Sequence, residues 1–323
     1  MNLLNITPAY FTKNGKAYVG KSEILLDKIP DDSINLIVTS PPFALQRKKE
    51  YGNKEQHEYV DWFLSIAEIA YKKLKEDGSF IVDLGGAYEK GFPIRSLYNF
   101  RLMIRMVDEL RFYLAEDFYW FNPSKLPSPI EWVNKRKIRV KDSVNTIWWF
   151  SKSKNPKADI KKVLVPYSDK MKKLIENPNK YYKPKIRPSG HNISTGFGKD
   201  NGGAIPPNLL QIANAESNTA YLSACKSLGI KAHPARFPSQ LPEFFIKMLT
   251  DENDIVLDIF GGSNTTGYVA ESKNRKWLSF DESYEYVSSS IFRFFDKNTP
   301  PRLLKELYKK VLSGESIDLN QYF

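Results

Sequence analysis

Apolar residues in the first part of the chain form short runs typical of buried strands, separated by a longer stretch with helical spacing. Four of the five residues at 34–38 are apolar and mostly β-branched, which predicts a strand buried on both faces. Because Pro41-Pro42 cannot donate backbone hydrogen bonds, this strand is expected to end at Thr39-Ser40. Residues 57–75 have helical periodicity, and residues 79–84 (SFIVDL) form a second apolar run. This pattern predicts two parallel neighbouring strands joined by a crossover helix.

The same alternation continues to residue 150 and resumes near residue 241. The further predicted elements are, in chain order, a helix at 98–112, strands at 117–121 and 145–150 that are antiparallel at the sheet edge, a helix from 241, and strands at 254–260 and 276–281. Between residues 151 and 226 the periodicity fades and Gly, Pro and Asn become frequent, which predicts an insertion or small domain.

Length and composition fit one large α/β domain with an elaboration, or two domains. The 323 residues are 41% hydrophobic and 14% aromatic, which is ample for a core. No apolar run approaches the roughly 20 residues of a membrane span, and the N-terminal residues lack signal-peptide features, so we expect a cytoplasmic protein without membrane contact. The single cysteine, Cys225, and three scattered histidines offer neither a disulfide framework nor a zinc site.

Positive charge is concentrated in one part of the chain. The net charge is +11, and residues 151–199 contain thirteen lysines and arginines against three acidic residues. A solvated lysine-rich surface is the usual explanation for such a run, but the interleaved Tyr167, Tyr181, Tyr182 and Phe197 favour a polyanion-binding surface. A second basic cluster consists of Lys135, Arg136, Lys137, Arg139 and Lys141.

The residues after the first buried strand carry the first candidate chemistry. Ligands bind at the carboxyl ends of parallel strands, and there Ser40 Oγ and the Pro41 carbonyl can accept the hydrogens of an amine while the Phe43 ring stacks on its planar group. The alternative is a proline strand terminator with a packed phenylalanine. Asp83, at the end of the next strand, can accept or orient the Ser40 proton, or can instead be a capping or turn aspartate.

A glycine-rich turn after the strand at 254–260 carries the second candidate chemistry. Glycines at 261–267 let the backbone approach a ligand, and the amides at the start of the next helix face it. Neither a Walker phosphate loop nor a GxGxxG dinucleotide fingerprint occurs here. Asp281, about 20 residues beyond the glycines, suits a ribose diol. The pattern favours an adenosine-type ligand that needs no phosphate site.

Both motifs resemble those of the DNA amino-methyltransferases. Ser40 to Phe43 (SPPF) resembles their catalytic motif, and residues 258–267 (DIFGGSNTTG) resemble their S-adenosylmethionine loop. The order of catalytic motif, basic region and cofactor loop is similar to their β class. Further stretches that resemble cytosine-N4 members are TSPPFALQRKKEYGN, FYWFNPSKLPSPIEWVNKRKIRVKD and KAHPARFP.

This resemblance implies an α/β, Rossmann-like S-adenosylmethionine-dependent methyltransferase fold, with a mostly parallel sheet flanked by helices, one antiparallel edge strand and an inserted target-recognition region. Residues 1–150 would be the catalytic half, 151–226 the DNA target-recognition region and 227–323 the cofactor-binding half. The implied reaction methylates the N4 amine of cytosine in duplex DNA, with CAGCTG as the suggested site, within a restriction-modification system. The expected protein is a prokaryotic monomer or weak dimer that pairs functionally with a restriction endonuclease without a stable complex.

The resemblance also implies roles for individual residues. Ser40, Pro41, Pro42 and Phe43 would hold the flipped base, with Asp83 beside Ser40. The implied cofactor-binding residues are Phe260, Gly261, Gly262, Ser263, Asn264, Asp281 and Pro234, the last in a segment (HPARFP) that can equally be a proline-rich helix entry. The expected DNA-binding residues are Lys135, Arg136, Lys137, Arg139, Lys141 and Arg187.

Two positions depart from the family pattern. Asn264 stands where the family's FxGxG has its last glycine, and Lys21 follows Gly20 where the family usually has Gly-Asp. The second departure weakens the assignment of position 21 to an adenine contact.

The implied chemistry suits these residues. An exocyclic amine is a poor nucleophile because its lone pair is delocalised into the ring, and acceptors at Ser40 and Pro41 would draw its hydrogens out of plane and localise that pair. No covalent intermediate is needed. The base must leave the duplex, which costs a few kcal/mol, and stacking on Phe43 would offset part of this cost.

Other activities fit less well. Ring-carbon methylation requires a cysteine nucleophile, and Cys225 lies away from the motif without a preceding proline. Adenine-N6 methylation is the close alternative, although those enzymes usually have Asp or Asn where Ser40 stands. A non-catalytic nucleic-acid-binding protein is the alternative from another class, and RNA is a less favoured substrate.

Overall fold

One mixed sheet runs through the computed structural model of the chain, which describes residues 3–44, 56–181, 188–190, 195–215 and 219–322. The strands formed by these residues are β1 (Tyr10–Phe11), β2 (Gly15–Val19), β3 (Ile34–Thr39), β4 (Leu74–Gly85), β5 (Tyr113–Phe121), β6 (Val144–Ser151), β7 (Leu209–Gln211), β8 (Ile255–Asp258), β9 (Lys276–Asp281) and β10 (Ile317–Asp318). Their order across the sheet is β10-β1-β2-β9-β8-β3-β4-β6-β5-β7.

Helices accompany the strands. In the same described residues they are α1 (Ser22–Asp27), α2 (Gln56–Lys73), α3 (Tyr98–Asp108), α4 (Asp169–Glu176), α5 (Pro178–Tyr181), α6 (Ala220–Leu228), α7 (Gln240–Leu249), α8 (Thr265–Ser272), α9 (Tyr284–Ser290) and α10 (Pro301–Leu312). Single helical turns lie at Glu131–Lys135, Ile160–Val163, Thr195–Gly198, Ile291–Phe294 and Leu319–Tyr322.

The centre of the sheet is parallel, as the α/β pattern predicted. Strands β2, β9, β8, β3 and β4 pair in parallel in that order. The strand predicted to be antiparallel at the edge is β6, and it lies inside the sheet. β6 runs antiparallel to β4 on one side and to β5 on the other, and β7 adds a further strand outside β5. On the other side of the sheet β1 is antiparallel to β2, and β10 pairs in parallel with β1 as the edge strand.

The predicted strand-helix-strand unit is β3, α2 and β4. All six residues of β3 are buried, because the strand lies between β4 and β8 and is covered on both faces. Phe63 and Ala67 of α2 belong to the same buried core cluster as Phe80 and Leu84 of β4. β4 begins at Leu74, earlier than predicted. The strand includes residues 75–77 (KED), which are polar and lie near the surface. These polar residues interrupt the apolar run on which the prediction relied.

The chain divides into two compact units. The larger unit consists of Met1–Ala158 and Asn208–Phe323, and the smaller unit of Asp159–Pro207. The smaller unit contains α4 and α5, neither of which buries a residue, and an antiparallel bridge between Val165 and Ala204. The predicted target-recognition region, 151–226, extends beyond the smaller unit on both sides, and its role in DNA recognition stays a prediction.

Membrane-spanning helices and metal-binding clusters are both absent from the described residues. No helix there has the length and apolar character needed to cross a membrane. Within the same residues, no group of three or more His, Cys, Asp or Glu side chains is placed to hold a metal ion.

Candidate active site

A cleft of about 1500 Å³ opens at the carboxyl ends of the central strands. The ends of β3, β4, β8 and β9 place Ser40, Asp83, Ile259 and Asp281 on its wall. The predicted site residues that line the cleft are Ser40, Pro41, Pro42, Phe43, Asp83, Pro234, Phe260, Gly261, Gly262, Ser263 and Asp281. The sheet therefore brings together two motifs that are more than 200 residues apart in the sequence.

Ser40 and Asp83 form a hydrogen-bonded pair on the cleft wall. Ser40 Oγ donates to Asp83 Oδ2 at 3.0 Å, and Asn145 Nδ2 donates to Asp83 Oδ1 at 3.1 Å. Burial raises the pKa of Asp83 to about 6, while the hydrogen bonds from Asn145 and Ser40 oppose that rise. Asp83 is therefore mostly ionised at neutral pH and accepts the Ser40 hydrogen. Asn145, which belongs to β6, was missed in the sequence because a lone asparagine in an aromatic strand carries no recognisable signal.

The position of the Phe43 ring depends on a glycine. A Cβ atom built on Gly85 would lie 2.5 Å from Phe43 Cε2, so the ring occupies space that any larger residue would need. The carbonyl of Gly85 is held by a hydrogen bond from the Tyr98 hydroxyl. Phe43 packs against the buried core on one side and lines the cleft on the other. An aromatic surface is thus presented beside the Ser40 hydroxyl.

Asp281 and the glycine turn after β8 hold each other. Gly262 N donates to Asp281 Oδ2 at 2.8 Å, and Ser283 N donates to Asp281 Oδ1 at 2.9 Å. Burial raises the pKa of Asp281 to about 6, against the effect of these two backbone donors. Gly262 has a φ of +50°, and a Cβ on Gly261 would lie 2.0 Å from Ser279 Oγ. Space therefore requires glycine at position 261, and the left-handed backbone favours glycine at position 262.

The structure explains why asparagine can stand at position 264, where the family pattern has glycine. Its φ of 54° and ψ of 45° are left-handed, a conformation that asparagine tolerates better than most residues. Its Oδ1 accepts from Gly267 N at 3.1 Å and caps α8, while Nδ2 donates to the Tyr10 hydroxyl at 2.8 Å. The residue is 1% exposed, so its side chain supports the glycine turn from within the core and does not face the cleft.

Asp258 is a second residue that the sequence interpretation missed. Thr39 Oγ1 donates to Asp258 Oδ1 at 2.8 Å, and Thr266 Oγ1 donates to Asp258 Oδ2 at 2.6 Å. Phe260 N also donates to Asp258 Oδ1, at 3.1 Å. The buried carboxylate thus joins the residue before Ser40 to both sides of the glycine turn. Asp258 is the first residue of the motif DIFGGSNTTG, and this position was the signal in the sequence that could have identified it.

The segment around Pro234 packs against the glycine turn. The His233 ring lies near Gly262, since a Cβ built on Gly262 would be 3.1 Å from it, and it meets the Tyr286 ring edge-on at 4.4 Å between centroids. Pro234 and Arg236 line the cleft beside it. Lys21 also lines the cleft, where the family usually has an acid.

The predicted DNA-binding cluster lies in the loop between β5 and β6, and its side chains are exposed. Several of them have acceptors within the protein. Lys135 and Arg136 pair with Glu131 at 3.2 and 3.3 Å, Arg139 Nε donates to the Pro93 carbonyl, and Lys141 Nζ donates to the Pro123 carbonyl. Lys137 has a φ of 56°. Arg187 and Tyr182 lie outside the described residues.

This loop also reaches the cleft. Asn122, Lys125 and Ser143, at its two ends, are among the lining residues. The basic cluster therefore belongs to the same loop as part of the cleft wall.

Comparison with known families agrees with this arrangement. A family model described as DNA methylase matches residues 34–292, which include both motifs. The chain is a member of this DNA methylase family. The methylase is 69% identical over 313 residues to the type II methyltransferase M.PvuII of Proteus hauseri, with 97% of this chain and 93% of that relative covered. It is 26% identical to the type II methyltransferase M.BglII of Bacillus subtilis, with 99% and 81% covered.

Solved structures are similar to the methylase over nearly the whole chain. The PvuII DNA methyltransferase (cytosine-N4-specific) matches with a TM-score of 0.81 and 59% identity, covering 98% of this chain and 99% of that one. A putative DNA modification methylase from Thermus thermophilus, TTHA0409, complexed with S-adenosyl-L-methionine, matches with a TM-score of 0.51 and 16% identity over 94% and 97% of the two chains, which shows the fold alone. The predicted family and the Rossmann-like methyltransferase fold are confirmed.

Proposed function

We propose that this methylase transfers a methyl group from S-adenosyl-L-methionine to the N4 amine of cytosine in duplex DNA. The observation that carries the proposal is the Ser40–Asp83 hydrogen bond of 3.0 Å beside Phe43, in a cleft shared with the glycine turn. The 69% identity to M.PvuII and the likeness to the cytosine-N4-specific PvuII enzyme support cytosine N4 as the acceptor. The type II methyltransferases among its relatives also support a role in a restriction-modification system. CAGCTG is proposed as the site from the sequence resemblance alone.

The cleft residues at the ends of β8 and β9 fit this cofactor. The Asp281 carboxylate is oriented by two backbone donors and retains lone pairs for the hydroxyls of a ribose. Gly261 and Gly262 let the backbone come close, and Phe260 and Pro234 provide apolar surfaces for the adenine ring. When bound, the cofactor supplies an electrophilic methyl group on a sulfonium sulfur.

Ser40 and Pro41 would orient the amine. Because the Ser40 hydrogen is donated to Asp83, the lone pairs of Ser40 Oγ remain available for one amine hydrogen, and the Pro41 carbonyl accepts the other. This arrangement pulls the hydrogens out of the ring plane and localises the nitrogen lone pair. The methyl group would leave the sulfonium sulfur, whose S–C bond breaks to give a neutral thioether, as the N–C bond forms. Ser40 Oγ would take the amine proton and pass its own proton to Asp83 Oδ2.

DNA binding would involve the exposed basic loop. Lys135, Arg136, Lys137, Arg139 and Lys141 would bind phosphates and position the duplex without reading its sequence. Arg187 and the smaller unit, Asp159–Pro207, would contribute further contacts. The target cytosine must leave the base stack at a cost of a few kcal/mol, and stacking on Phe43 offsets part of it.

Product analysis tests the proposal. The protein is incubated with unmethylated DNA and labelled S-adenosylmethionine, the DNA is digested to nucleosides, and the labelled nucleoside is identified by mass spectrometry. We expect N4-methylcytosine. A labelled N6-methyladenine would be consistent with the fold and the cofactor but would refute cytosine as the methylated base. If no labelled nucleoside formed on DNA of varied sequence, a non-catalytic nucleic-acid-binding protein would be favoured. Duplexes that carry CAGCTG or a single-base variant of it then test the site.

The cellular setting belongs to the same proposal. We propose a bacterial cytoplasmic protein whose methylation blocks a cognate endonuclease without a stable complex between the two. The likeness to type II methyltransferases of Proteus hauseri and Bacillus subtilis supports the bacterial setting. We propose a monomer or weak dimer. Sedimentation at several protein concentrations, with and without the duplex, tests the oligomeric state.

A further inference from the structure

Asn145 lies on β6 and approaches Asp83 from the side opposite Ser40. It is 9% exposed, and its side chain lines the cleft. In the β4–β6 ladder Asn145 is opposite Gly85, while Asp83 is opposite Ile147. Residues two apart on a strand share a face, and diagonal partners on adjacent strands are within reach of long side chains. The sheet register therefore brings the Asn145 amide to the Asp83 carboxylate.

The two oxygens of Asp83 have different donors. Oδ1 accepts from Asn145 Nδ2 at 3.1 Å, and Oδ2 accepts from Ser40 Oγ at 3.0 Å. An ionised carboxylate only accepts hydrogen bonds, so the Asn145 amide must turn its nitrogen toward it. Its oxygen then lies on the side of Gly85, where a Cβ would be 3.2 Å from Asn145 Oδ1. The amide and the carboxylate fix each other's orientation.

We infer that Asn145 is a positioning residue for methyl transfer: its amide holds the Asp83 carboxylate so that Oδ2 faces the Ser40 hydroxyl. Without this donor, the carboxylate would keep, among the hydrogen bonds of the described residues, only that from Ser40, which holds one of its two oxygens and constrains rotation about the Cβ–Cγ bond less. Supporting hydrogen bonds of this kind keep reactive side chains in productive geometry. The inference rests on the proposed function, because it assigns Asn145 a part in that reaction.

The charge state of Asp83 depends on the same contact. Among the effects that lower its pKa, the Asn145 hydrogen bond is the largest, followed by those of Ser40 and of the Lys125 cation. Tyr59 on α2 and Tyr98 on α3 also face Asp83, and burial raises the pKa of both phenols, so they stay neutral around pH 7. Removing the Asn145 donor should therefore leave Asp83 protonated at higher pH.

The test measures kcat against pH at saturating DNA and cofactor for the wild-type protein, Asn145→Ala and Asn145→Asp. The acid limb of the profile is the pH range in which kcat falls as Asp83 becomes protonated. We expect this limb to lie about one pH unit higher in Asn145→Ala, which lowers kcat about fivefold at pH 6. Its KM for DNA should stay near the wild-type value. Asn145→Asp should move the limb further, because a second carboxylate against Asp83 disfavours ionisation.

A matched control uses another asparagine that donates to a carboxylate. Asn14 Nδ2 donates to Glu271 Oε1 at 3.1 Å, away from the cleft residues, so Asn14→Ala should keep the wild-type profile. An acid limb that stays in place in Asn145→Ala overturns the inference. If that variant does not fold, an unmoved limb in the nearly isosteric Asn145→Asp does the same. A wild-type protein that forms no N4-methylcytosine would instead refute the proposed function.

Discussion

The ring of Phe43 fills the space beside Gly85 that a side chain would occupy, with Cε2 only 2.5 Å from an ideal Cβ position. Gly85→Ala should therefore displace the ring from the place where the base is proposed to stack. Since base-aromatic stacking contributes about 1–3 kcal/mol, we expect kcat/KM for a duplex substrate to fall by about tenfold or more. Steady-state methylation kinetics provide the measurement.

Gly86→Ala is the matched control for this substitution. A Cβ there would meet only the flexible end of Arg95, at 3.3 Å from Nη1. It should leave the kinetics close to wild type. Equal effects of the two substitutions would show that the Phe43 position does not matter for the reaction.

Ser40→Ala should remove methyl transfer while leaving both ligands bound. Loss of a positioned proton-transfer group lowers the rate by about 10²- to 10⁴-fold. DNA affinity, measured by fluorescence anisotropy, and cofactor affinity, measured by calorimetry, should change little. Ser33→Ala, which removes an exposed hydroxyl bonded to the Pro30 carbonyl, is the control. An unchanged methylation rate in Ser40→Ala would show that the Ser40 hydroxyl takes no part in the reaction.

The rate of methyl transfer should rise with pH through about 6. Burial raises the pKa of Asp83 to about 6, and only its ionised form can take the Ser40 proton, so activity is lost as the pH falls below that value. At saturating cofactor, a profile of kcat against pH isolates this group from Asp281. Asp83→Asn should be slow and should lack the acid limb. A wild-type rate that is constant between pH 5 and pH 8 would contradict the role of Asp83.

Cofactor affinity should have its own pH dependence. The pKa of Asp281 is raised to about 6 by burial, and its ionised carboxylate is the proposed acceptor for the ribose hydroxyls. The dissociation constant for S-adenosylmethionine should therefore increase below pH 6, approaching about tenfold per pH unit if binding requires the ionised form. Calorimetry at pH 5, 6 and 7.5 measures it. Asp281→Asn should bind weakly at all three values, and equal wild-type affinity at pH 5 and 7.5 would refute the assignment.

Both the left-handed backbone conformation of Asn264 and the cap that its side chain provides to α8 should contribute to the free energy of unfolding. Asn264→Ala loses the cap on α8 and strains a left-handed residue with a φ of 54°, and we expect a loss of about 2 kcal/mol in the free energy of unfolding. Asn264→Gly should lose less, because glycine adopts this conformation without strain. Urea unfolding compares the two. Equal stability of the two variants would exclude the backbone explanation.

Local sequence was sufficient to predict the bounds of those elements whose first or last residues have a recognisable chemical character. The strand before Pro41-Pro42 ends at Thr39, because prolines cannot continue the ladder, and the strand at 276–281 has the predicted bounds. The start of β4 at Leu74 was not predicted, because the residues that follow it, 75–78 (KEDG), resemble a turn. The place of β6 between β4 and β5 could not be predicted either, since strand order depends on pairing between distant segments.

The sequence by itself determined the α/β alternation, the two motifs and the family, because these depend on residue types at short spacing. Only the tertiary structure placed Asn145 against Asp83 and joined Thr39 to Asp258. It also showed that the Asn264 side chain supports the glycine turn from the core and does not face the cleft. These contacts arise from strand register and from chain segments up to 254 residues apart. Hydrophobic periodicity records which face of an element is buried, and it carries no information about which distant side chain that face will meet.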